Sequence, residues 1–121
     1  MTFLKGQTGK LGENLAKNFL KAKGYRILEQ NFRSTLGEID LITKKDQTLH
    51  FIEVKTRIGL SKGFPYEAVN SRKRGHLIRS LQVYQKKNKL KDEKLSLDVI
   101  SIVLNQDQSV NKLDFYESIT V

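Results

Sequence analysis

Residues 38–56 read Glu38-Ile39-Asp40-Leu41-Ile42-Thr43, then Lys44-Lys45-Asp46-Gln47-Thr48, then Leu49-His50-Phe51-Ile52-Glu53-Val54-Lys55-Thr56. Two runs rich in β-branched and aromatic residues flank a short polar break, which is the pattern of two strands joined by a tight turn. A connection this short forces antiparallel pairing. Side chains alternate across a strand, so Glu38 and Asp40 are expected on one face, with Ile39 and Leu41 on the other. By the same rule Glu53 and Lys55 share a face, opposite Val54. Asp40 lies six residues before Asp46 and Glu53 seven after it, so pairing through the turn brings the two acids near each other. Two carboxylates and one ammonium then surround a single spot.

Working outward, Tyr25-Arg26-Ile27-Leu28 running on to Asn31-Phe32-Arg33 has strand chemistry, and Leu36-Gly37 permits the turn that completes a three-stranded meander. Upstream, Leu11, Leu15, Phe19 and Leu20 recur with helical period and predict a helix over 8–23. Thr8 is its candidate cap and Gly24 its stop, while glycines at 9 and 12 weaken its first turn. Downstream, Leu77, Ile78, Leu81 and Tyr84 mark a second helix over 71–88, capped by Asn70 or Ser71. The run Leu95–Leu104 is a fourth strand; arriving after a helix, it is free to lie parallel to the third. Residues 112–121 supply a weaker last strand. The order α-βββ-α-β-β predicts an α/β protein, a mixed β-sheet flanked by helices, built as one domain over 1–121.

Composition narrows the chemistry. The 121 residues contain no cysteine, which excludes disulfide scaffolds, thiolate zinc sites, iron–sulfur clusters and a cysteine nucleophile. His50 and His76 are the only histidines, too few for a multi-histidine metal site. No apolar run approaches the roughly 20 residues that span a bilayer. The start, Met1-Thr2-Phe3-Leu4-Lys5-Gly6, lacks the apolar core of a secretory signal, so a cytoplasmic protein is expected. The net charge is +9, and residues 72–94 carry nine Lys/Arg against two acids, a net +7. A compact basic stripe fits a polyanion, nucleic acid before anionic membrane; a solvated helix face kept basic for solubility fits it equally well.

The residues of the meander also admit two readings. Asp40 and Glu53 can hold a divalent cation, Mg²⁺ or Mn²⁺, with Lys55 placing the attacking water and steadying developing phosphate charge. Alternatively, both acids pair with Lys55, Arg57 or Arg33 on an exposed sheet face. Glu13 falls at the rim of the first helix's apolar face, where it either points along the sheet to a shared site or serves as an ordinary first-turn glutamate. On the second helix Lys73 is a rim residue and a candidate phosphate contact. Arg72, Arg79 and Lys86 point away from the core, as an outer basic surface or a merely solvated one.

Asp40 followed by Glu53-Val54-Lys55 resembles the PD-(D/E)XK signature of the restriction-endonuclease-like nuclease fold. The longer text Gly12-Glu13, Asn31-Phe32-Arg33, Gly37-Glu38-Ile39-Asp40, Phe51–Arg57, Glu67-Ala68-Val69, Lys73 and Leu97-Asp98-Val99 resembles the UPF0102 (YraN-like) bacterial family over nearly the whole chain. That resemblance implies a sheet core similar to archaeal Holliday junction resolvases. It implies Glu13, Asp40 and Glu53 as metal-binding acids, Lys55 as the catalytic lysine, the Val54 carbonyl as an extra ligand, and Glu38 as a supporting or alternative one. In one place the chain departs from the family pattern: Ser96-Leu97 precede Asp98 where the family often has Arg-Phe, so no arginine is available there to pair or to contact phosphate.

The expectation is a metal-dependent endonuclease acting on DNA, branched or otherwise structured, with Arg57, Arg72 and Lys73 on flanking phosphates. The alternative is a non-catalytic nucleic-acid-binding module of the same fold. A membrane-surface role for 72–94 is disfavoured, because the helix's apolar stripe is needed to cover the sheet. The resolvase likeness implies a homodimer, since cutting two opposed strands takes two sites; no sequence feature marks an interface, and a monomer stays open.

Overall fold

A computed structural model describes residues 7–59, 69–90 and 93–118. Its elements are α1 (Gln7–Ala22), β1 (Arg26–Ser34), β2 (Gly37–Lys45), β3 (Thr48–Ile58), α2 (Ser71–Lys87), β4 (Lys94–Leu104) and β5 (Val110–Tyr116). This is the expected α/β order α-βββ-α-β-β. Met1–Gly6, Pro65, Glu67, Ala68, Lys91, Asp92 and the end of the expected last strand at 119–121 lie outside the described residues. The strands form one mixed sheet in the spatial order β1-β2-β3-β4-β5. Only β3 and β4 run parallel, with α2 in the crossover between them.

The two helices cover opposite faces. Ala16 and Leu20 of α1 pack with Tyr25, Leu41, Ile52, Val54, Ile100, Ile102 and Leu104. Leu77 and Tyr84 of α2 pack with Phe32, Ile39, Ile42, Leu49, Phe51 and Leu97. Neighbours in sequence such as Phe51 and Ile52 enter different clusters, as strand alternation requires. Among the described residues no helix is long and apolar enough to cross a membrane.

Local chemistry explains the ends of the elements. Thr8 lies inside α1 rather than capping it. Gly24 ends that helix as expected: its N–H donates to the Lys21 carbonyl (3.1 Å), and the Tyr25 N–H donates to the Leu20 carbonyl (2.9 Å). Asn70 is the cap of α2, its side chain accepting from Lys73 N at 3.0 Å. The last strand begins two residues earlier than expected. A turn closed by Asn105 N–Ser109 O (2.8 Å) and Gln108 N–Asn105 O (3.0 Å) reverses the chain directly after β4.

One expectation about faces fails, and the failure makes the site. Ile39 packs on the α2 side and Leu41 on the α1 side, so they do not share a face. Across the ladder, β1 pairs Gln30 with Leu41 and Phe32 with Ile39, and Asn31 between them has φ 51. A left-handed residue inside a strand turns the chain. The β1–β2 hairpin therefore rotates at Asn31 and Asp40, and β2 leaves β3 at that point.

Gly12 sets how closely α1 lies on the sheet. A Cβ there would stand 1.8 Å from Thr56 Oγ1 on β3. The weak helix former thus permits the approach that carries Glu13 toward the site. Gly12→Ala is expected to destabilise the chain by about 1–3 kcal/mol, because the overlap must be relieved by moving the helix. Urea unfolding measures this; a variant as stable as the parent would show that α1 is not held in this contact.

Candidate active site

The β2–β3 ladder runs from Lys45 opposite Thr48 to Leu41 opposite Ile52 and stops. One step further the same register sets Asp40 opposite Glu53. There Asp40 Oδ2 accepts a hydrogen bond from the Val54 N–H at 2.8 Å, replacing the backbone partner that β2 no longer supplies. The aspartate thus closes the split that its own strand opens.

Glu53 is 3% exposed. Its Oε1 lies 3.4 Å from Lys55 Nζ and 3.5 Å from Lys73 Nζ. Its Oε2 is buried with no hydrogen-bond partner among the described residues. Burial first, then the charge of Glu53 beside it, pushes the Asp40 carboxyl up to about 7, against the Val54 N–H bond that favours its ionised form. Glu53 does pair with Lys55, as the ion-pair reading expects, but from a buried position rather than on an exposed face. Arg33 goes instead to Glu38, at 3.6 Å.

Glu13 reaches the pair indirectly. The carboxylates of Glu13 and Glu38 can only accept, so they orient the Asn31 amide to donate to Glu13 Oε1 (2.8 Å) and Glu38 Oε1 (2.9 Å). Burial raises the Glu13 pKa, with Asp40 and Glu38 adding to the rise and Lys17 opposing it. Asn31 is the site residue that the sequence reading left without a role. Its signal was an asparagine inside a strand pattern, where that residue type is depleted.

Of the remaining candidates, Lys73 is half-buried on Glu53, while Arg72, Arg79 and Lys86 are exposed, as the helical wheel requires. Arg57 is half-buried on the same face of β3 as Glu53 and Lys55, and its Nε is buried without a partner among the described residues. An open groove of about 310 Å³, lined by Gly37, Glu38, Arg72, Lys73 and His76 among others, lies at the start of α2, and Lys73 on its wall is the lysine that reaches Glu53.

The family model described as "Uncharacterised protein family UPF0102" matches residues 12–102. The chain belongs to the UPF0102 family. It is 42% identical over 109 residues to a UPF0102 protein of Caldicellulosiruptor bescii, covering 89% of this chain and 92% of that one. Against UPF0102 proteins of Chloroherpeton thalassium and Clostridium perfringens the identities are 45% over 100 residues and 42% over 107; the match covers 83% and 88% of this chain and 78% and 88% of those proteins. The UPF0102 match spans every residue of the acid cluster, from Glu13 through Lys73.

The donor set suits a divalent cation. Of two facing carboxylates, one is pushed up to about 7 by burial and its neighbour, and the other has lysines on one oxygen only and a second, buried oxygen without a partner among the described residues. Among the described residues no three of His, Asp and Glu are arranged to hold a metal by themselves. Mg²⁺ sites of one or two carboxylates completed by water and substrate phosphate need no more than the pair.

Asp40 also makes stability depend on pH. Its folded pKa of about 7 stands above the ordinary 3.8, so the metal-free fold holds a proton that the unfolded chain releases. That contribution is complete below the ordinary value and is lost as pH rises from about 4 through 7. Asp40→Asn, which keeps an acceptor for Val54 N–H, should escape this loss. In EDTA the variant is expected to gain on the parent by about 2–4 kcal/mol between pH 5 and pH 8. Urea titrations of both proteins at the two pH values check it; parallel profiles would contradict the raised value.

Proposed function

We propose that this UPF0102 protein is a Mg²⁺- or Mn²⁺-dependent endonuclease hydrolysing DNA phosphodiester bonds, on branched or otherwise structured DNA. The observation that carries this reading is Glu53. It is a buried carboxylate held by Lys55 and Lys73 on one oxygen, unpartnered on the other, and faced by Asp40. An acid in that setting is costly to maintain for stability alone.

Asp40 and Glu53 would hold the cation, with Glu13 joined to them through Asn31 and Glu38. When bound, the ion supplies Lewis-acid polarisation of the scissile phosphate and a bound water of lowered pKa. Lys55, on the same face of β3 as Glu53, orients the attacking water and stabilises charge on the phosphoryl oxygens. Lys73 fixes the second side of Glu53 and faces the groove. Arg57 and Arg72 hold flanking phosphates. The apolar face of α2 is spent in the core, which leaves its exposed arginines and lysines for a polyanion rather than its leucines for a bilayer.

The test is cleavage of labelled single-stranded, duplex, flap and four-way-junction DNA in Mg²⁺, Mn²⁺ or EDTA. Metal-dependent cutting that disappears in Asp40→Ala is the expected result. Binding without cutting assigns the non-catalytic module instead, and neither binding nor cutting overturns the DNA reading. Light scattering with and without junction DNA decides between one chain and the pair that cutting opposed strands requires.

A further inference from the structure

The connection between β1 and β2 carries a leucine where a turn favours small polar residues. Leu36 is 42% exposed and belongs to neither apolar cluster. The other exposed large hydrophobics among the described residues, Val110 and Tyr116, lie on β5 at the opposite edge of the sheet. A single exposed leucine is ordinary in itself; the mounting of this one is not.

Its turn is locked from both sides. The Leu36 N–H donates to Ser34 Oγ at 3.1 Å, and Ser34 Oγ donates to the Gly37 carbonyl at 3.2 Å. Ser80 of α2 is buried and meets Ser34 Oγ at 3.4 Å. Gly37 has φ 149, and a Cβ on it would come within 3.0 Å of Ser80 Oγ and 3.6 Å of the His76 carbonyl. The tip is therefore pinned to α2 through its polar atoms while its apolar side chain is left to solvent.

The tip also has a direction relative to the acids. Arg33, with its side chain 80% exposed, stands beside it, paired at 3.6 Å with the half-exposed Glu38. The groove lined by Gly37, Glu38, Arg72, Lys73 and His76 begins next to the tip at Gly37, and Lys73 on its wall contacts Glu53. An exposed leucine thus stands next to a groove walled by Arg72 and Lys73, and Lys73 reaches Glu53.

We propose that the β1–β2 tip is a strand-separating wedge, in which Leu36 enters the base stack at a discontinuity in DNA and directs one strand along the groove to Asp40 and Glu53. This rests on the endonuclease reading and names its substrate: DNA in which stacking is already interrupted. Inserted leucine side chains unstack base steps at a cost in free energy. That cost is least where a base is already unpaired, so the wedge favours junctions and flaps over continuous duplex. Leu36 lies four residues from Asp40, at most about 13 Å along a strand. With stacked nucleotides about 3.4 Å apart, the cut falls within about four nucleotides of the branch.

The experiment places 2-aminopurine at the branch of a flap and of a four-way junction, and at the matching position of continuous duplex. The wild-type chain is added in EDTA, where nothing is cut, and anisotropy reports binding. Fluorescence should rise at least threefold at the branch and stay flat in duplex. Leu36→Ser should remove the rise with duplex binding unchanged, and Leu36→Phe should keep it. In Mn²⁺, Leu36→Ser should lower the ratio of branched to duplex cleavage about tenfold. A bound branch without a rise, a rise indifferent to Leu36→Ser, or no binding to any branched DNA overturns the wedge. A Leu36-dependent rise with no cleavage in any metal leaves the wedge standing and overturns the endonuclease reading instead.

Discussion

Asp40→Asn and Glu53→Gln, made singly, are each expected to bring metal-dependent DNA cleavage to background, the largest effect of any substitution in this chain. Each removes one of the two carboxylates that face each other across the split between β2 and β3, and with it one of the two groups that would fix the cation against the scissile phosphate. Neither change should unfold the protein. Asp40→Asn keeps an acceptor for the Val54 N–H. Glu53→Gln removes an ionised group from a buried position, while Lys55 and Lys73 remain about a third exposed and can turn to solvent. Lys55→Met is expected to cost about 10²–10³ in kcat, the usual loss when one preorganised donor to a developing charge is removed. Lys73→Met should act mainly on KM, because that lysine borders the groove from a helix. Single-turnover cleavage in Mn²⁺ separates the two, and a thermal shift on adding Mn²⁺, lost in Asp40→Asn, reports metal binding without turnover. Full activity in Asp40→Asn would remove the pair from the mechanism.

The second large effect lies at the opposite end of β3. Asp98 is fully buried, and it accepts from Ser96 Oγ (2.5 Å), the Ser118 N–H (2.9 Å) and His50 Nδ1 (2.6 Å). The carboxylate can only accept there, so His50 carries its proton on Nδ1. Tyr25 packs edge-on against the imidazole, with ring centroids 5.0 Å apart. His50→Ala leaves a buried carboxylate without its closest ring donor, and Asp98→Ala leaves a nearly buried imidazole N–H and two further donors unpaired. Either is expected to cost about 3–5 kcal/mol, against a total of about 5–15 kcal/mol for a domain. Asp98→Asn, which keeps an acceptor, should cost less, and the double variant His50→Ala/Asp98→Ala should cost less than the sum of the singles. Urea unfolding of the four variants is the measurement. A loss below about 1 kcal/mol for Asp98→Ala would mean that these bonds do not hold in solution.

This network also answers the departure noted at Ser96-Leu97. No arginine stands beside Asp98. Its partners are the serine in that place and a histidine from β3, brought opposite Ser96 by the parallel register. The pairing was not legible in the sequence, because residues 50 and 98 meet only through a crossover whose register no short turn specifies.

What the linear chain determined by itself was local. Alternation and helical period are steric consequences of the backbone, so the strands and helices, their order, the stop at Gly24 and a cap at Asn70 or Ser71 could be read directly. The meeting of Asp40 with Glu53 was readable for the same reason, since a short turn makes register a matter of counting. Three things waited for the tertiary structure. Ile39 and Leu41 diverge because Asn31 on the neighbouring strand takes a left-handed conformation. Glu13 comes near because Gly12 lets α1 touch Thr56. Lys73 closes on Glu53 because α2 covers the face from which that side chain rises. Each depends on groups far apart in sequence meeting in space. Only packing of the whole chain decides which of those approaches is made, because no one of them is favourable without the apolar surface that the others help to bury.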